Sequence, residues 1–170
     1  HHCHGLATTT NWGSGTCPLT GTPTFNAPGT ECGWYGVFCD GTESHVVSID
    51  LRSNNLAGAL PPLAALPNLL AFGVGNNQLT GSIPALTELS SLYFFDASHN
   101  QLSGPIPALT ELTSLQFFLV GANQLTGAMP DLTGLTNQKS FEALHNQLSG
   151  SLPTLPCPTH PAHFLVQYNQ

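Results

Sequence analysis

The sequence predicts an α/β-type solenoid of stacked coils, with a parallel β-sheet on the concave face and short strands and 3₁₀ turns on the convex side. Three observations support this prediction. One pattern recurs with a fixed period of 23, the interval from Phe72 to Phe95, its apolar positions coincide in every copy, and each copy carries an Asn, a Gly and a Pro at fixed places. A constant period of this length is the signature of a repeat architecture, because each coil buries its apolar side against the next.

The apolar positions of the repeat are clearest in the copy that begins at Phe72. Further copies begin at Phe95, Phe118 and Phe141, each one period after the last, and an earlier copy begins at Ile49. Within one copy the apolar residues are Phe72, Val74, Leu79, Ile83, Leu86, Leu89 and Leu92. One coil alone cannot remove them from water, so we expect each column of equivalent residues to stack into a continuous core.

Two further columns have structural explanations. The Asn column contains Asn54, Asn77, Asn100, Asn123 and Asn146, and the Gly column contains Gly58, Gly81, Gly104, Gly127 and Gly150. Each Asn lies where the chain leaves a strand, and we expect its side-chain amide to bond backbone groups of neighbouring coils. Each Gly marks a tight bend, and the Pro that follows it limits helix formation there.

One copy reads Leu-x-x-Leu-x-x-Leu-x-Leu-x-x-Asn-x-Leu-x-Gly-x-Ile-Pro, which resembles the plant-type extracellular leucine-rich repeat of polygalacturonase-inhibiting proteins and receptor-kinase ectodomains, shortened by one residue. The segment from Cys32 to Cys39 is similar to the N-terminal cap of that family, although a single residue separates Cys32 from Trp34. The resemblance covers roughly residues 31–156. It implies a leucine-rich-repeat fold whose open end is protected by a cap with a Cys32–Cys39 disulfide.

The pattern divides the chain into three parts. Residues 1–45 form a cysteine-containing N-terminal cap, residues 46–156 form five leucine-rich repeats of constant period, and residues 157–170 form the start of a further repeat or an incomplete C-terminal segment. In the last part Phe164 begins the pattern again, and the sequence stops one residue short of the expected Leu. We therefore expect either a fragment of a longer protein or an end that another molecule covers.

The five cysteines favour structural disulfides in an oxidising compartment over metal or redox chemistry. Once Cys32 and Cys39 are paired, Cys3–Cys17 is the simplest second pair, although spacing does not settle the connectivity. Cys157 is left over. The alternatives for Cys157 are a partner beyond this sequence, a buried free thiol and an intermolecular bond.

Charge and hydropathy exclude several classes of partner. Arg52 and Lys139 are the basic residues against nine acids, the net charge is −7, and no basic stripe exists for nucleic acid or an anionic membrane. No apolar run reaches the roughly 18 residues that span a bilayer. Charged residues make up 6% of the chain, against roughly a quarter in ordinary soluble domains, and neutral polar residues and Gly replace them. Together with the cysteines, this composition predicts a secreted, extracellular protein.

The outward positions of the first strand in each coil form the candidate binding surface. In the predicted sheet these positions make columns about 4.8 Å apart along the stack. The predicted binding residues are Leu70, Tyr93, Phe94, Asp96, His99, Phe117, Leu119 and Leu144. An exposed aromatic and aliphatic patch usually marks a contact surface. The alternative is that local curvature or the cap covers these side chains.

Catalysis and metal binding are not predicted. Asp50, Asp96 and Glu142 fall on alternate coils, at a spacing that would suit an inverting glycosidase, but nothing indicates a sugar cleft or a raised pKa. His99 and His145 are two coils apart, too far to share a metal ion. We therefore expect no enzyme activity, no cofactor and no metal site.

A second surface is more regular. One ladder of hydroxyl residues contains Thr80, Ser103, Thr126 and Ser149, and an amide ladder beside it contains Gln78, Gln101, Gln124 and Gln147. Stacked Gln side chains stabilise a solenoid by bonding along its axis. A flat, uncharged hydroxyl array that repeats about every 4.8 Å is also what an ice-binding face needs.

The sequence is compatible with three functions. The first is an extracellular, non-catalytic binding or adhesion module that recognises a protein or polysaccharide through its concave face. The second is a structural subunit that assembles head to tail into an extracellular fibre, since heterologous contacts that do not close produce filaments. The third is an ice-binding protein that uses the Thr/Ser ladder. The predicted partners are a protein, a polysaccharide or other copies of this chain, without nucleic acid and without membrane insertion.

Overall fold

The computed structural model describes Cys32, residues 34–155 and residues 163–169. Within them the chain forms a solenoid of stacked coils, and helix is nearly absent. The strands of this part of the chain are β1 Val37–Cys39, β2 Val46–Asp50, β3 Ala57–Ala59, β4 Ala71–Gly73, β5 Gln78–Gly81, β6 Phe94–Asp96, β7 Gln101–Gly104, β8 Phe117–Leu119, β9 Gln124–Ala128, β10 Ser140–Glu142, β11 Gln147–Ser149 and β12 His163–Leu165. The predicted solenoid fold is confirmed.

Two sheets run along the stack. The first sheet has the order β1-β2-β4-β6-β8-β10-β12, and the second has the order β11-β9-β7-β5-β3. In the first sheet all neighbours are parallel except β1 and β2, and residues one repeat apart are directly opposite, as Phe95 is opposite both Phe72 and Phe118. In the second sheet Thr80 is opposite Gln101 and not Ser103, so the pairing is offset by two residues from the repeat.

The core is a set of stacked side-chain rows. Ring centroids of Phe72 and Phe95 are 5.6 Å apart, those of Phe95 and Phe118 are 5.3 Å apart, and Phe141 and Phe164 continue the row. The predicted apolar columns, including Val74, Leu79, Leu86, Leu89 and Leu92, are fully buried beside this row. Each coil therefore depends on its neighbours for burial, as expected for a solenoid.

The Asn column ties neighbouring coils together. In one copy, Asn100 Oδ1 accepts the Leu79 N–H at 2.9 Å, and Asn100 Nδ2 donates to the Val74 carbonyl at 3.1 Å, both in the preceding coil. The same Nδ2 atom also donates to Ala97 and Ser98 of its own coil. The predicted role of the column is confirmed, and Asn77, Asn123 and Asn146 repeat it, as does Asn169 of the last described segment.

The residue before each Asn has a left-handed backbone conformation, which the sequence did not predict. The residues with φ between 52° and 61° at this place are Ser53, Asn76, His99, Ala122, His145 and Tyr168. This conformation costs about 1–2 kcal/mol for a residue other than Gly. The following Asn stabilises it, because its side-chain amide donates to the carbonyls two and three residues earlier, as Asn77 does to Gly75 and Val74.

On the convex side, the predicted 3₁₀ turns take the form of paired tight turns. The Leu89 N–H donates to the Leu86 carbonyl, and the Leu92 N–H donates to the Leu89 carbonyl, both at 2.9 Å. These three leucines point into the core, so the turn spacing matches the apolar spacing. The predicted Gly bends are confirmed, because all five residues of the Gly column have positive φ.

The cap covers the first coil through a short antiparallel strand. Cys32 and Cys39 form the predicted disulfide, with their Cα atoms 5.5 Å apart. Strand β1 pairs with β2, and Trp34 and Val37 are buried in the core. The other predicted disulfide pair, Cys3 with Cys17, lies outside the described residues, as does Cys157.

One core column is interrupted. The column that contains Leu69, Leu92 and Leu115 continues with Gln138, which is also buried. Its Nε2 atom donates to the backbone carbonyls of Gln116 and Ser140, whereas its Oε1 atom has no hydrogen-bond partner in the described structure. The last full coil therefore buries an unsatisfied polar atom where the earlier coils bury a methyl group.

Candidate functional site

The outer face of the first sheet presents one straight row of side chains. Strand pairing places these residues opposite one another in the order Phe38, Ser48, Ala71, Phe94, Phe117, Ser140 and His163. At the centre of the row, the ring centroids of Phe94 and Phe117 are 6.1 Å apart, with planes tilted by 52°. Because the sheet is in register with the repeat, side chains that are one period apart in the sequence meet here as neighbours.

The predicted binding residues differ in exposure. Tyr93 and Leu70 are the most exposed of the apolar ones, at 41% and 39%. Phe94, Phe117, Leu119 and Leu144 are half-buried, and His99 is exposed. We call the group Leu70, Tyr93, Phe94, Phe117 and Leu119 the aromatic face. A patch of this kind keeps its shape without a ligand, because its side chains partly support one another.

Asp96 does not lie on the exposed part of this surface as expected. Its side chain is 6% exposed, and its Oδ1 atom accepts hydrogen bonds from the Ser98 N–H at 3.0 Å and the Ser98 hydroxyl at 2.7 Å. A Cβ atom on Gly75 would lie 2.9 Å from both carboxylate oxygens. The absent side chain of Gly75 thus leaves the space that Asp96 fills, and little of Asp96 is open to solvent.

The two basic residues of the chain flank the aromatic pair. The guanidinium of Arg52 lies 5.9 Å from the Phe94 ring centroid, and Lys139 Nζ lies 5.9 Å from the Phe117 ring centroid. The Arg52 side chain crosses Gly73, where a Cβ atom would lie 3.3 Å from Nε. Both residues occupy outward positions next to the first-sheet strands, which the repeat pattern predicts. Neither is among the predicted binding residues.

Arg52 is held in place by an acid. Its Nε and Nη2 atoms donate to the two Asp50 carboxylate oxygens at 2.8 and 2.6 Å. Hydrogen bonding from Arg52 holds the pKa of the Asp50 carboxyl below its ordinary value and raises the pKa of Arg52. By contrast, Lys139 is exposed and forms no salt bridge with any residue that the structure describes. One end of the aromatic pair is therefore nearly neutral, and the other carries an unpaired cation.

Phe38 extends the row, and sequence reasoning missed it. It is 56% exposed and lies opposite Ser48 at the cap end of the sheet. Strand β1 is antiparallel and lies outside the repeat period, so comparison of repeats could not reveal this residue. Alternation along Val37, Phe38 and Cys39 in the cap is the one sequence signal that pointed to it.

The remaining polar candidates pair with nearby side chains. The Ser140 hydroxyl donates to Glu142 at 2.8 Å, and Asp50 and Asp96 have the partners given above. The His145 ring stacks on Tyr168 with centroids 4.5 Å apart. Among the described residues, no three His, Cys, Asp or Glu side chains lie close enough to hold a metal ion, and no helix is long and apolar enough to cross a membrane.

The second sheet carries the hydroxyl and amide ladders on its exposed side. Thr80, Ser103, Thr126 and Ser149 are all exposed, and so are Gln78, Gln101, Gln124 and Gln147. The offset pairing places Gln101, Gln124 and Gln147 beside the hydroxyl residue of the preceding coil, and Gln78 beside Ala57, so the ladders cross the sheet obliquely. Among the described residues, the one bond found along this column joins Gln78 to Asn55, the equivalent residue one coil earlier, and not two Gln side chains. Equivalent hydroxyl residues are therefore not directly opposite one another, because the pairing in this sheet is offset by two residues from the repeat.

Several solved structures are similar to this chain. The ectodomain of the receptor kinase SOBIR1 from Arabidopsis thaliana is 29% identical with a TM-score of 0.67, over 73% of this chain and 73% of that chain. A chain of the BIR3–SERK2 complex from Arabidopsis thaliana is 31% identical with a TM-score of 0.64, over 72% and 69%. A plant ice-binding protein is 31% identical with a TM-score of 0.71, over 84% of this chain and 48% of that chain.

No protein-family model matches the sequence, and no curated protein matches it. The two receptor-type structures nevertheless share the fold and a substantial fraction of identical residues over most of their length. With the Cys32–Cys39 cap and the Asn column in place, the chain belongs to the plant-type extracellular leucine-rich-repeat proteins.

Proposed function

We propose that this chain is a non-catalytic extracellular recognition module that binds a segment of another protein across the aromatic face. The observation that carries the proposal is the Phe94–Phe117 pair, a half-exposed pair of rings flanked by the two basic residues of a chain with net charge −7. Aromatic residues at the centre of a rigid patch dominate the binding energy of many interfaces. The arrangement supports recognition better than catalysis, because it offers contact area and no reactive group.

The partner segment should have apolar side chains at its centre and an acidic residue at the Lys139 end. Burying a large apolar side chain contributes about 1.5–3 kcal/mol, so Tyr93, Phe94 and Phe117 supply enough apolar surface for a specific contact. Lys139 has no salt bridge of its own within the described chain, and it can pair with a carboxylate without breaking one. Arg52 is already paired with Asp50 and offers a cation–π and hydrogen-bonding edge instead.

The relatives support a protein as the partner class. One similar structure is a complex between two proteins, BIR3 and SERK2, and others are receptor ectodomains. Complex formation and the receptor role are properties of those relatives. For this chain they favour a protein segment over a polysaccharide and favour an extracellular location, in agreement with the low charge and the Cys32–Cys39 disulfide.

A peptide-display experiment tests this function. A library of random 12-residue peptides would be selected against the intact chain, and we expect enriched sequences that combine aromatic or aliphatic residues with an acidic residue. The double variant Phe94→Ser/Phe117→Ser should weaken binding of these peptides by about a hundredfold, equivalent to the loss of two large apolar contacts. Leu152→Ser, at an exposed position outside the aromatic face, is the matched control. Unchanged affinity of the double variant would reject the aromatic face as the site.

Ice binding is the second candidate, because of the second sheet. Its outer positions are exposed and uncharged, and a plant ice-binding protein is similar over most of this chain. The two-residue offset displaces equivalent hydroxyls by about 6.6 Å along the strand, so an ice lattice would have to match an oblique array. Thermal hysteresis of the parent chain, lost in Thr80→Lys/Thr126→Lys, would support this function. A parent chain without hysteresis would eliminate it.

A further inference from the structure

We propose that a recess between the cap and the first coil binds a neutral saccharide unit. The recess has a volume of about 360 Å³. Its lining consists of Tyr35, Gly36, Phe38, Asp50, Arg52 and Asn54. A recess of this size lies at the lower end of the range for small-molecule sites, which suits one or two sugar rings. The recess shares Arg52 with the edge of the proposed protein-binding surface, but the proposal does not depend on that function.

Two aromatic side chains stand at this recess with most of their surface in water. Tyr35 is 64% exposed and Phe38 is 56% exposed. The backbone that carries them is rigid, because the Cys32–Cys39 disulfide closes the segment and Gly36 packs against strand β2. A Cβ atom on Gly36 would lie 2.2 Å from the Asp50 carbonyl oxygen, so the turn cannot move closer. Rigid, exposed rings beside polar groups provide the flat apolar surface on which the C–H face of a pyranose packs.

The polar side of the recess offers both donors and acceptors. Arg52 uses Nε and one Nη2 proton on Asp50, and three of its five N–H groups remain for a ligand. Asn54 donates through Nδ2 to the Arg52 carbonyl, and its Oδ1 atom accepts no hydrogen bond from another described residue. Sugar hydroxyls act as donor and acceptor at once, so adjacent hydroxyls can bond to the Arg52 edge, the Asp50 carboxylate and the Asn54 amide.

The charges favour a neutral ligand. Asp50 and Arg52 form an ion pair inside the lining, and no other charged residue lines the recess. An anion bound in the recess would lie close to the Asp50 carboxylate, and a bound cation would lie close to the Arg52 guanidinium. Either ligand would therefore be repelled by one of the two groups. The cap recess therefore combines two aromatic platforms with a compensated pair of planar, hydrogen-bonding ions, and this combination matches a polyhydroxylated ring.

Saturation-transfer NMR and calorimetry on the intact chain test the proposal. The probes are the methyl glycosides of glucose, galactose, mannose and xylose, together with cellotetraose, glucuronate and inorganic phosphate. We expect at least one neutral probe to bind with a Kd in roughly the millimolar range. Tyr35→Ala and Phe38→Ala should each weaken that binding at least tenfold. Leu152→Ala, exposed and remote from the recess, should leave it unchanged.

The outcomes separate this site from the protein-binding surface. Phe117→Ser, at the Lys139 end of the aromatic face, should keep full saccharide affinity while weakening peptide binding. No saturation transfer from any neutral probe at ~20 mM would overturn the proposal, because binding that weak carries no recognition. Tighter binding of glucuronate or phosphate would also overturn it. If Phe38→Ala lowers Tm, Tyr35→Ala carries the test, since its ring is the more exposed of the two.

Discussion

The two sheets of this solenoid are built from one repeat and present different surfaces. In the first sheet equivalent residues are directly opposite each other, as Phe94 and Phe117 are, whereas in the second sheet Thr80 is opposite Gln101. The outer face of the first sheet varies from coil to coil, as the proposed specific contact requires. The second sheet repeats nearly the same residues, but equivalent residues of neighbouring strands are not directly opposite each other. A regular sequence column thus becomes a straight surface row only where the strands lie in register with the repeat.

The largest expected effect comes from breaking the Asn column, which lies between the two sheets in every coil. Asn100→Leu would leave the Leu79 N–H without this partner and would remove one donor from the Val74 and Ala97 carbonyls, which still accept from Asn77 and Asn123. We expect the free energy of unfolding to fall by about 3 kcal/mol, since the unsatisfied buried N–H costs about 1–3 kcal/mol and each of the two lost hydrogen bonds about 1 kcal/mol. Urea unfolding measures it. Gln101→Leu, at the exposed neighbouring position, is the control, and equal losses in the two variants would contradict the role of the column.

Replacing a glycine is expected to cost stability for different reasons in the two sheets. Gly75 follows strand β4 of the first sheet. Gly75→Ala should be destabilising for steric reasons, because the new Cβ atom would lie 2.9 Å from the Asp96 carboxylate oxygens. Gly104→Ala in the second sheet has room, with the nearest atom at 3.7 Å, but its φ of +79° is unfavourable for Ala. We expect losses of about 1–3 kcal/mol and about 1–2 kcal/mol respectively.

A double-mutant cycle sharpens this contrast. In an Asp96→Ala background, Gly75→Ala should cost less than in the parent, because the obstructing carboxylate is gone. The cost of Gly104→Ala should be the same in both backgrounds. Gly41→Ala, which has nothing within 4 Å of the new Cβ atom, provides the baseline. Additive behaviour of Gly75 and Asp96 in urea unfolding would show that space does not limit the first sheet.

A smaller effect concerns the interrupted Leu column. Gln138→Leu replaces a buried amide whose Oε1 atom has no hydrogen-bond partner in the described structure with the residue found one repeat earlier. We expect about 1 kcal/mol of added stability, or an increase in Tm of about 2–4 °C, in calorimetry. A decrease in Tm would mean that the two hydrogen bonds from Nε2 outweigh the unsatisfied oxygen.

The smallest expected effect is a pH-dependent contribution of the Asp50–Arg52 pair to the stability of the first sheet. The pKa of Asp50 is lowered in the folded protein by hydrogen bonding from Arg52, so their pairing stabilises the first sheet above roughly pH 4 and is lost as pH falls through the folded pKa. Arg52→Gln should therefore lower Tm slightly at neutral pH, and the difference from the parent should shrink as pH falls through the folded pKa of Asp50. Asp40 and Asp131, whose pKa values are also lowered by hydrogen bonds, titrate in both proteins. A difference that grows on acidification would contradict this assignment.

Much of the architecture follows from residue types and spacing. The stacked Phe row, the buried leucines, the amides that bond the preceding coil and the bends with positive φ were all predictable, because each depends on a single position that recurs. The Cys32–Cys39 bridge was implied by family resemblance. The outward location of the Phe94–Phe117 pair was predictable for the same reason, since alternation along a strand decides which side chains face out.

Other properties depend on how one coil lies against the next. Asp96 is buried because Gly75, one coil earlier, leaves space for its carboxylate, and Arg52 reaches Phe94 because Gly73 lets its side chain pass. The two-residue offset of the second sheet and the recess beside Phe38 likewise arise from contacts between segments that no single repeat contains. Residue spacing specifies the content of each coil, but the exposure of a side chain and the register of a strand are set by neighbouring coils, because solvent access is a property of the assembled surface.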